Sequence, residues 1–234
     1  MRNGDEGKRV SILSDIKDGL IVSCQALEDE PLYSSHIMAR MAYAAMLGGA
    51  KGIRANSCKD ICEIKQAVSL PVIGIVKKEY GDCPVYITPT MSEVDSLVGC
   101  GCEIIAMDAT NRLRPSGITL EVFFSEVRKK YPEQLFMADC ATYEEGLAAA
   151  AMGFDMIGTT LSGYTDDSCD APMPNYHMLS GLVYNSGKPV IAEGNIWTPD
   201  QLLLAKNCGV HAVVVGSAIT RPMLITQRFA QVMK

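Results

Sequence analysis

Six short apolar runs in this chain close on, or next to, a residue that can carry a proton, a charge or a strong hydrogen bond. LIVSC (20–24) is followed by Gln25, and GIRA (52–55) contains Arg54. PVIGIV (71–76) runs into Lys77 and Lys78, and EIIAM (103–107) into Asp108. LFMAD (135–139) ends on Asp139 and PVIAE (189–193) on Glu193. If these runs are strands pointing the same way, their polar ends meet at one rim. A lysine placed there is partly desolvated, which lowers its pKa and makes it a base at neutral pH. The structural alternative is that Lys77 pairs with Asp108 or Glu193 and only stabilises the rim. Period-two geometry groups Ile73, Ile75 and Lys77 on one face and Val72, Gly74, Val76 and Lys78 on the other, without saying which face is interior.

A second chemistry is written near the end of the chain. Glu193 is followed by Gly194 and Asn195, and the last apolar run closes on Gly216 and Ser217 before Arg221-Pro222. Small residues at helix starts leave backbone N–H groups open, which suits a phosphate. Glycine-rich strand ends also serve packing alone. The Arg112 and Arg114 cluster either faces a small anion or forms local ion pairs.

The elements that must position these residues are legible. MIGTTL (156–161) and AVVVG (212–216) bring the apolar runs to eight. They are continuous in apolar content, as in parallel strands buried on both faces. Between them lie helical patterns with capping signals: Ser57 before Asp60, Thr90 before Glu93, Thr142 before Glu145, and Thr198-Pro199 before Gln201. Eight strand–helix units predict an α/β fold, a single-domain (β/α)8 TIM barrel over 19–234 behind a polar N-terminal leader, 1–18. An open doubly wound sheet is the runner-up. VYITPT (85–90) is assigned to the loop after the third strand. Long connections after the fourth and sixth strands place function at the C-terminal face of the barrel.

Composition removes several classes. With 48% hydrophobic and 21% charged residues in 234, the chain is not disordered. A net charge of −6 with scattered basic residues argues against nucleic acid as a partner. No apolar run approaches the ~18 residues of a membrane span, and the polar start MRNGDEGKRV has no secretory core, so a cytoplasmic protein with no membrane partner is expected. The nine cysteines fit reduced thiols, and CKDIC (58–62) and CGCE (100–103) lack the partners of a zinc site. His36, His177 and His211 have no second ligand at metal spacing, so no metal site is expected. The apolar stripe Met223, Leu224, Phe229 and Val232 on the last helix either packs on the barrel or forms a homodimer interface.

The same stretches carry a resemblance. LIVSCQALEDEPLYSS (20–35), GGAKGIRAN (48–56), LPVIGIVKKEY (70–80), YITPTMSEVD (86–95), IIAMDATNRLRP (104–115), TTLSGYT (159–165), PVIAEGNIWTP (189–199) and VVVGSAITRP (213–222) resemble the N-acetylmannosamine-6-phosphate 2-epimerases. The resemblance runs over residues 18–234 and leaves the leader outside it. It implies a barrel enzyme of bacterial sialic-acid and amino-sugar catabolism, oligomeric, with a small phosphosugar substrate and no cofactor. It places the family's catalytic lysine on Lys77 and its glutamate on Glu193. Gln25, Arg54, Asp139 and Arg221 match its other substrate-facing positions, and Gly194, Gly216 and Ser217 fall where phosphate is expected. Asn195 departs from the basic residue that often follows the E-G pair. Other expectations from the same fold are a different phosphosugar isomerase, a Schiff-base aldolase with Lys77 as the amine, or a phosphosugar-binding module without catalysis.

Overall fold

The computed structural model describes residues 2–233. Helix α1 (Arg2–Ile16) leads into β1 (Gly19–Cys24), and strand and helix then alternate through α2 (Ser35–Leu47), β2 (Gly52–Asn56), α3 (Cys58–Ala67), β3 (Val72–Ile75) and α4 (Met91–Gly99). The chain continues through β4 (Ile104–Asp108), α5 (Leu120–Lys130), β5 (Leu135–Asp139), α6 (Tyr143–Met152), β6 (Met156–Gly158) and α7 (Tyr176–Asn185). It ends with β7 (Val190–Ala192), α8 (Pro199–Asn207), β8 (Ala212–Val215), the short α9 (Ser217–Thr220) and α10 (Pro222–Gln231). The eight strands are all parallel and close into a barrel in sequence order, with β1 paired to both β2 and β8. This is the (β/α)8 architecture that the apolar runs predict.

Alternation along each strand separates two cores. Ile73 and Ile75 of β3, Ile104 of β4, Met137 of β5 and Val214 of β8 fill the barrel interior. Val72, Ile105, Phe136 and Val213 point outward and pack under the helices. Lys77 follows Ile73 and Ile75 in period two and therefore sits on the inward face, which settles the question the sequence left open. On the outward face Gly74 has no room for a side chain. A Cβ there would stand 2.8 Å from Cys102 Sγ and 2.9 Å from Ile61 Cδ1.

Helix starts follow the capping code. Thr90, Thr142 and Thr198 each form a reciprocal capping box with Glu93, Glu145 and Gln201, and Ser57 Oγ accepts from Asp60 N. The VYITPT segment does more than connect. Residues 86–88 wedge between the ends of β3 and β4: Lys78 N donates to Tyr86 O (2.9 Å), Thr88 N to Val76 O (2.8 Å) and Asp108 N to Ile87 O (3.0 Å). The wedge holds Tyr86 and Ile87 at the barrel mouth.

Two regions differ from the simplest sequence reading. The polar segment 1–18 contains α1, whose Ile12 and Ile16 are buried against the interior core, while Arg9 pairs with Asp155. A few apolar residues among many charges suffice, because a helix need bury only one stripe. The stripe on α10 divides: Leu224 is half-buried and lines the barrel mouth, whereas Met223, Phe229 and Val232 (just beyond the helix) are exposed. Among the described residues, no helix is long and apolar enough to cross a membrane.

The burial of Ile16 yields a test. Ile16→Ala is expected to destabilise the fold by about 2–5 kcal/mol, read as a lower urea midpoint. An unchanged midpoint would show that α1 contributes nothing to the barrel.

Candidate active site

Because every strand runs the same way, the C-terminal strand ends surround one opening. A cavity of about 380 Å³ lies there, lined by Gln25, Arg54, Lys77, Glu193, Gly194, Gly216, Ser217 and Arg221 among others. Of the residues that the resemblance assigns to the site, only Asp139 is absent from the lining. It is fully buried and reaches the cavity through Arg54 and Thr160, so it is a support beneath the floor rather than a substrate-facing group.

The floor is built on an ion pair. Arg54 Nη1 and Nη2 donate to the two Asp139 carboxylate oxygens at 3.1 and 2.5 Å, with the side chains 1% and 0% exposed. Burial opposes the Arg54 charge, but Asp139 and Glu193 outweigh it and hold the guanidinium pKa above its usual value. Glu193 Oε2 stands 3.0 Å from Arg54 Nη1. Burial, aided by the Asp139 charge and opposed by Arg54, pushes the Glu193 carboxyl up to about 7. Lys77 moves the other way: burial, then the Arg54 and Arg221 charges, lower its pKa. A carboxyl that holds its proton more tightly than usual and an amine that holds its proton less tightly thus face one cavity.

Both groups are pinned through their backbones by a side chain from the preceding unit. Lys77 N donates to Asn56 Oδ1 (2.8 Å). Glu193 N donates to Thr159 Oγ1 (3.1 Å), and that hydroxyl donates to Glu193 O (2.9 Å). Lys77 follows β3 and Glu193 follows β7, four strands apart in a ring of eight, so they enter from opposite walls.

Other expectations divide. Lys78 turns outward to Glu93 at 3.3 Å, and Asp108 is held by Arg112 (2.7 Å) and Thr110 (2.7 Å), so neither lines the cavity. The Arg112 and Arg114 cluster is structural. Arg114 is buried over the Phe123 ring and donates to Thr88 O, Pro89 O and Asp108 O. Arg221 lines the cavity while Glu30 holds it, Nε at 3.1 Å from Oε1 and Nη2 at 3.2 Å from Oε2. Gly194 and Asn195 both take positive φ (116° and 53°), so the loop after Glu193 is a tight left-handed turn. Among the described residues, no group of three or more His, Cys, Asp and Glu is placed to hold a metal ion.

The residues missed by strand-end reading are Ser23, Tyr86, Thr160, Tyr164 and Trp197, all of which line the cavity. They lie within strands or in loops, where no residue type marks a site. Tyr86 and Thr160 do fall inside the YITPT and TTLSGYT stretches.

Fold and site define a (β/α)8-barrel protein with a lysine and a glutamate on opposite walls of one rim cavity. A family model described as "Putative N-acetylmannosamine-6-phosphate epimerase" matches residues 38–234. A relative from Caldanaerobacter subterraneus subsp. tengcongensis, named "Putative N-acetylmannosamine-6-phosphate 2-epimerase", is 51% identical over 226 residues, covering 97% of this chain and 95% of that one. One of the same name from Borrelia garinii subsp. bavariensis is also 51% identical, covering 94% and 96%. The solved N-acetylmannosamine-6-phosphate 2-epimerase from Clostridium perfringens superposes with a TM-score of 0.90 at 49% identity, covering 94% of this chain and 96% of that one. Thiamine phosphate pyrophosphorylase from Pyrococcus furiosus shares the fold alone, at TM-score 0.62 and 18% identity. The chain belongs to the N-acetylmannosamine-6-phosphate epimerase family.

The raised Glu193 pKa has a stability consequence. Between about pH 4.3, the ordinary glutamate value, and pH 7 the folded chain keeps a proton that the unfolded chain has released. Stability from this group therefore falls as pH rises through that window, by on the order of 2–3 kcal/mol. Glu193→Gln cannot ionise and escapes the loss, so its Tm relative to wild type should increase from pH 5 to pH 8. A pH-independent difference would refute the raised pKa.

Proposed function

We propose that this chain interconverts N-acetylmannosamine 6-phosphate and N-acetylglucosamine 6-phosphate by removing the C2 proton and returning one to the opposite face. The observation that carries this reading is the placement of Lys77 and Glu193 on opposite walls of one cavity, in a chain of this family. In the open-chain sugar the C1 aldehyde acidifies C2–H. Neutral Lys77 takes that proton on Nζ, and the C–H electron pair moves to the C1 oxygen as an enolate. Glu193 then delivers its proton to C2 from the other side, and the C1 carbonyl re-forms. The reverse reaction exchanges the two roles. The lowered Lys77 pKa and the raised Glu193 pKa favour this starting arrangement of protons.

Arg54 and Gln25 are the donors assigned to the enolate oxygen, a role worth about 3–4 kcal/mol per donor. Arg221 and the backbone around Gly194, Gly216 and Ser217 are assigned to the phosphate. Asn195 sits in a tight turn and supplies no charge, so Arg221 carries that part of the recognition. The partner is a small phosphosugar rather than nucleic acid or a membrane, and the chemistry asks for no cofactor. We place the enzyme in the cytoplasm, where its nine free cysteines stay reduced. A homodimer is our reading of the exposed α10 stripe, supported by Leu203 and Leu204 of α8, which are also exposed.

Proton NMR in D₂O with EDTA present tests the reaction. The expected result is N-acetylglucosamine 6-phosphate carrying deuterium at C2, and unchanged substrate with folded protein would overturn it. Lys77→Ala should lower kcat by about 10²–10⁴. Borohydride trapping of a substrate–Lys77 adduct would point instead to Schiff-base chemistry. For the assembly, Phe229→Asp with Val232→Asp should halve the mass seen by sedimentation, and a wild-type monomer would remove the dimer.

A further inference from the structure

Counting hydrogens beneath the cavity identifies a residue that strand-end reading passes over. Thr160 Oγ1 stands 2.7 Å from Asp139 Oδ1 and 3.2 Å from Glu193 Oε2. A threonine hydroxyl has one hydrogen and two lone pairs. The shorter contact takes the hydrogen, so Thr160 donates to Asp139. Arg54 Nη1 stands 3.0 Å from Glu193 Oε2 as a neighbouring charge, but its hydrogens are directed to Asp139 Oδ1 and towards Met137 Sδ. Glu193 Oε2 therefore faces a hydroxyl oxygen with no hydrogen left to give it. A hydrogen bond across this 3.2 Å contact therefore takes its hydrogen from the Glu193 carboxyl, donated to a free lone pair of Thr160.

We propose that Thr160 is a positioning residue that turns its single hydroxyl hydrogen between Asp139 and Glu193 as the Glu193 proton leaves and returns. While Glu193 is protonated, it donates to Thr160, and Thr160 donates to Asp139. Once Glu193 has given its proton to the substrate, rotation about the Cβ–Oγ1 bond swings the hydroxyl hydrogen to the new carboxylate. Asp139 keeps both bonds from Arg54 meanwhile, so no buried charge is abandoned. No heavy atom has to move. The charged groups facing Glu193 are Arg54 on β2, Lys77 after β3 and Asp139 on β5, and Thr160 touches Asp139 and Glu193 itself. The catalytic meaning of the switch rests on the epimerase reading, whereas the hydrogen-bond exchange belongs to the free protein.

The test separates the two. The Glu193 side-chain carboxyl is titrated by ¹³C NMR without substrate, its signal assigned by loss in Glu193→Gln. Thr160→Val deprives protonated Glu193 of two linked hydrogen bonds and ionised Glu193 of one. Its titration is expected about one pH unit below wild type. Thr160→Ala must move it the same way, and Thr160→Ser must restore it. In turnover, Thr160→Val should lower kcat about tenfold, the worth of one net hydrogen bond, with KM within about threefold. An upward move would make Thr160 a plain donor to the ionised carboxylate, and an unmoved titration would leave it a packing role; either overturns the proposal. Absence of epimerisation by wild type would instead sink the reaction and leave the titration result standing.

Discussion

The site depends on one buried ion pair. Arg54 and Asp139 lie almost wholly out of water, where an unpaired charge would cost several kcal/mol, and the two-pronged contact between them makes the arrangement tolerable. The pair then acts on its neighbours in opposite senses. The Arg54 charge helps to drive the proton off Lys77, and the Asp139 charge helps to keep the proton on Glu193. A single ion pair thus biases both walls of the cavity towards the protonation states that C2 epimerisation asks for. Neither shift would survive in a solvated rim, because the dominant cause in each is burial.

Precision comes from neighbouring strands rather than from the loops. Asn56 at the end of β2 holds the backbone of Lys77, and Thr159 after β6 holds that of Glu193. Each pinning residue belongs to the unit just before the one it supports, as parallel pairing in sequence order makes natural. The wedge at 86–88 completes the rim where β3 and β4 diverge and sets Tyr86 against the floor. Burial raises the Tyr86 pKa, with the Asp108 and Asp139 charges adding to it, so this phenol stays protonated.

The other end of the cavity is tied to the last helix. Arg221 and Leu224 line the cavity from the start of α10, and Arg228 stacks 4.3 Å from the centre of the Trp197 ring, itself part of the lining. The helix that carries the exposed apolar residues is therefore also the helix that presents Arg221 to the cavity. Glu30, from the connection after β1, braces that arginine by its Nε and Nη2 edge.

The sequence by itself determined the barrel, because eight continuous apolar runs separated by capped helices can be buried in few other ways. It also determined that Gln25, Arg54, Lys77 and Glu193 share a rim, since parallel strands bring their C-terminal ends together. It left α1 looking like a polar leader, because two buried isoleucines are a faint signal among charges. It did not separate Asp139 from the cavity-facing residues, nor Lys78 and Asp108 from Lys77. Those distinctions turn on which side of the barrel wall a side chain points to and which partner it meets first, across strands far apart in the chain. Thr160 is the clearest case. Its role follows from two distances to carboxylates 21 and 33 residues away, and only closure of the barrel sets them.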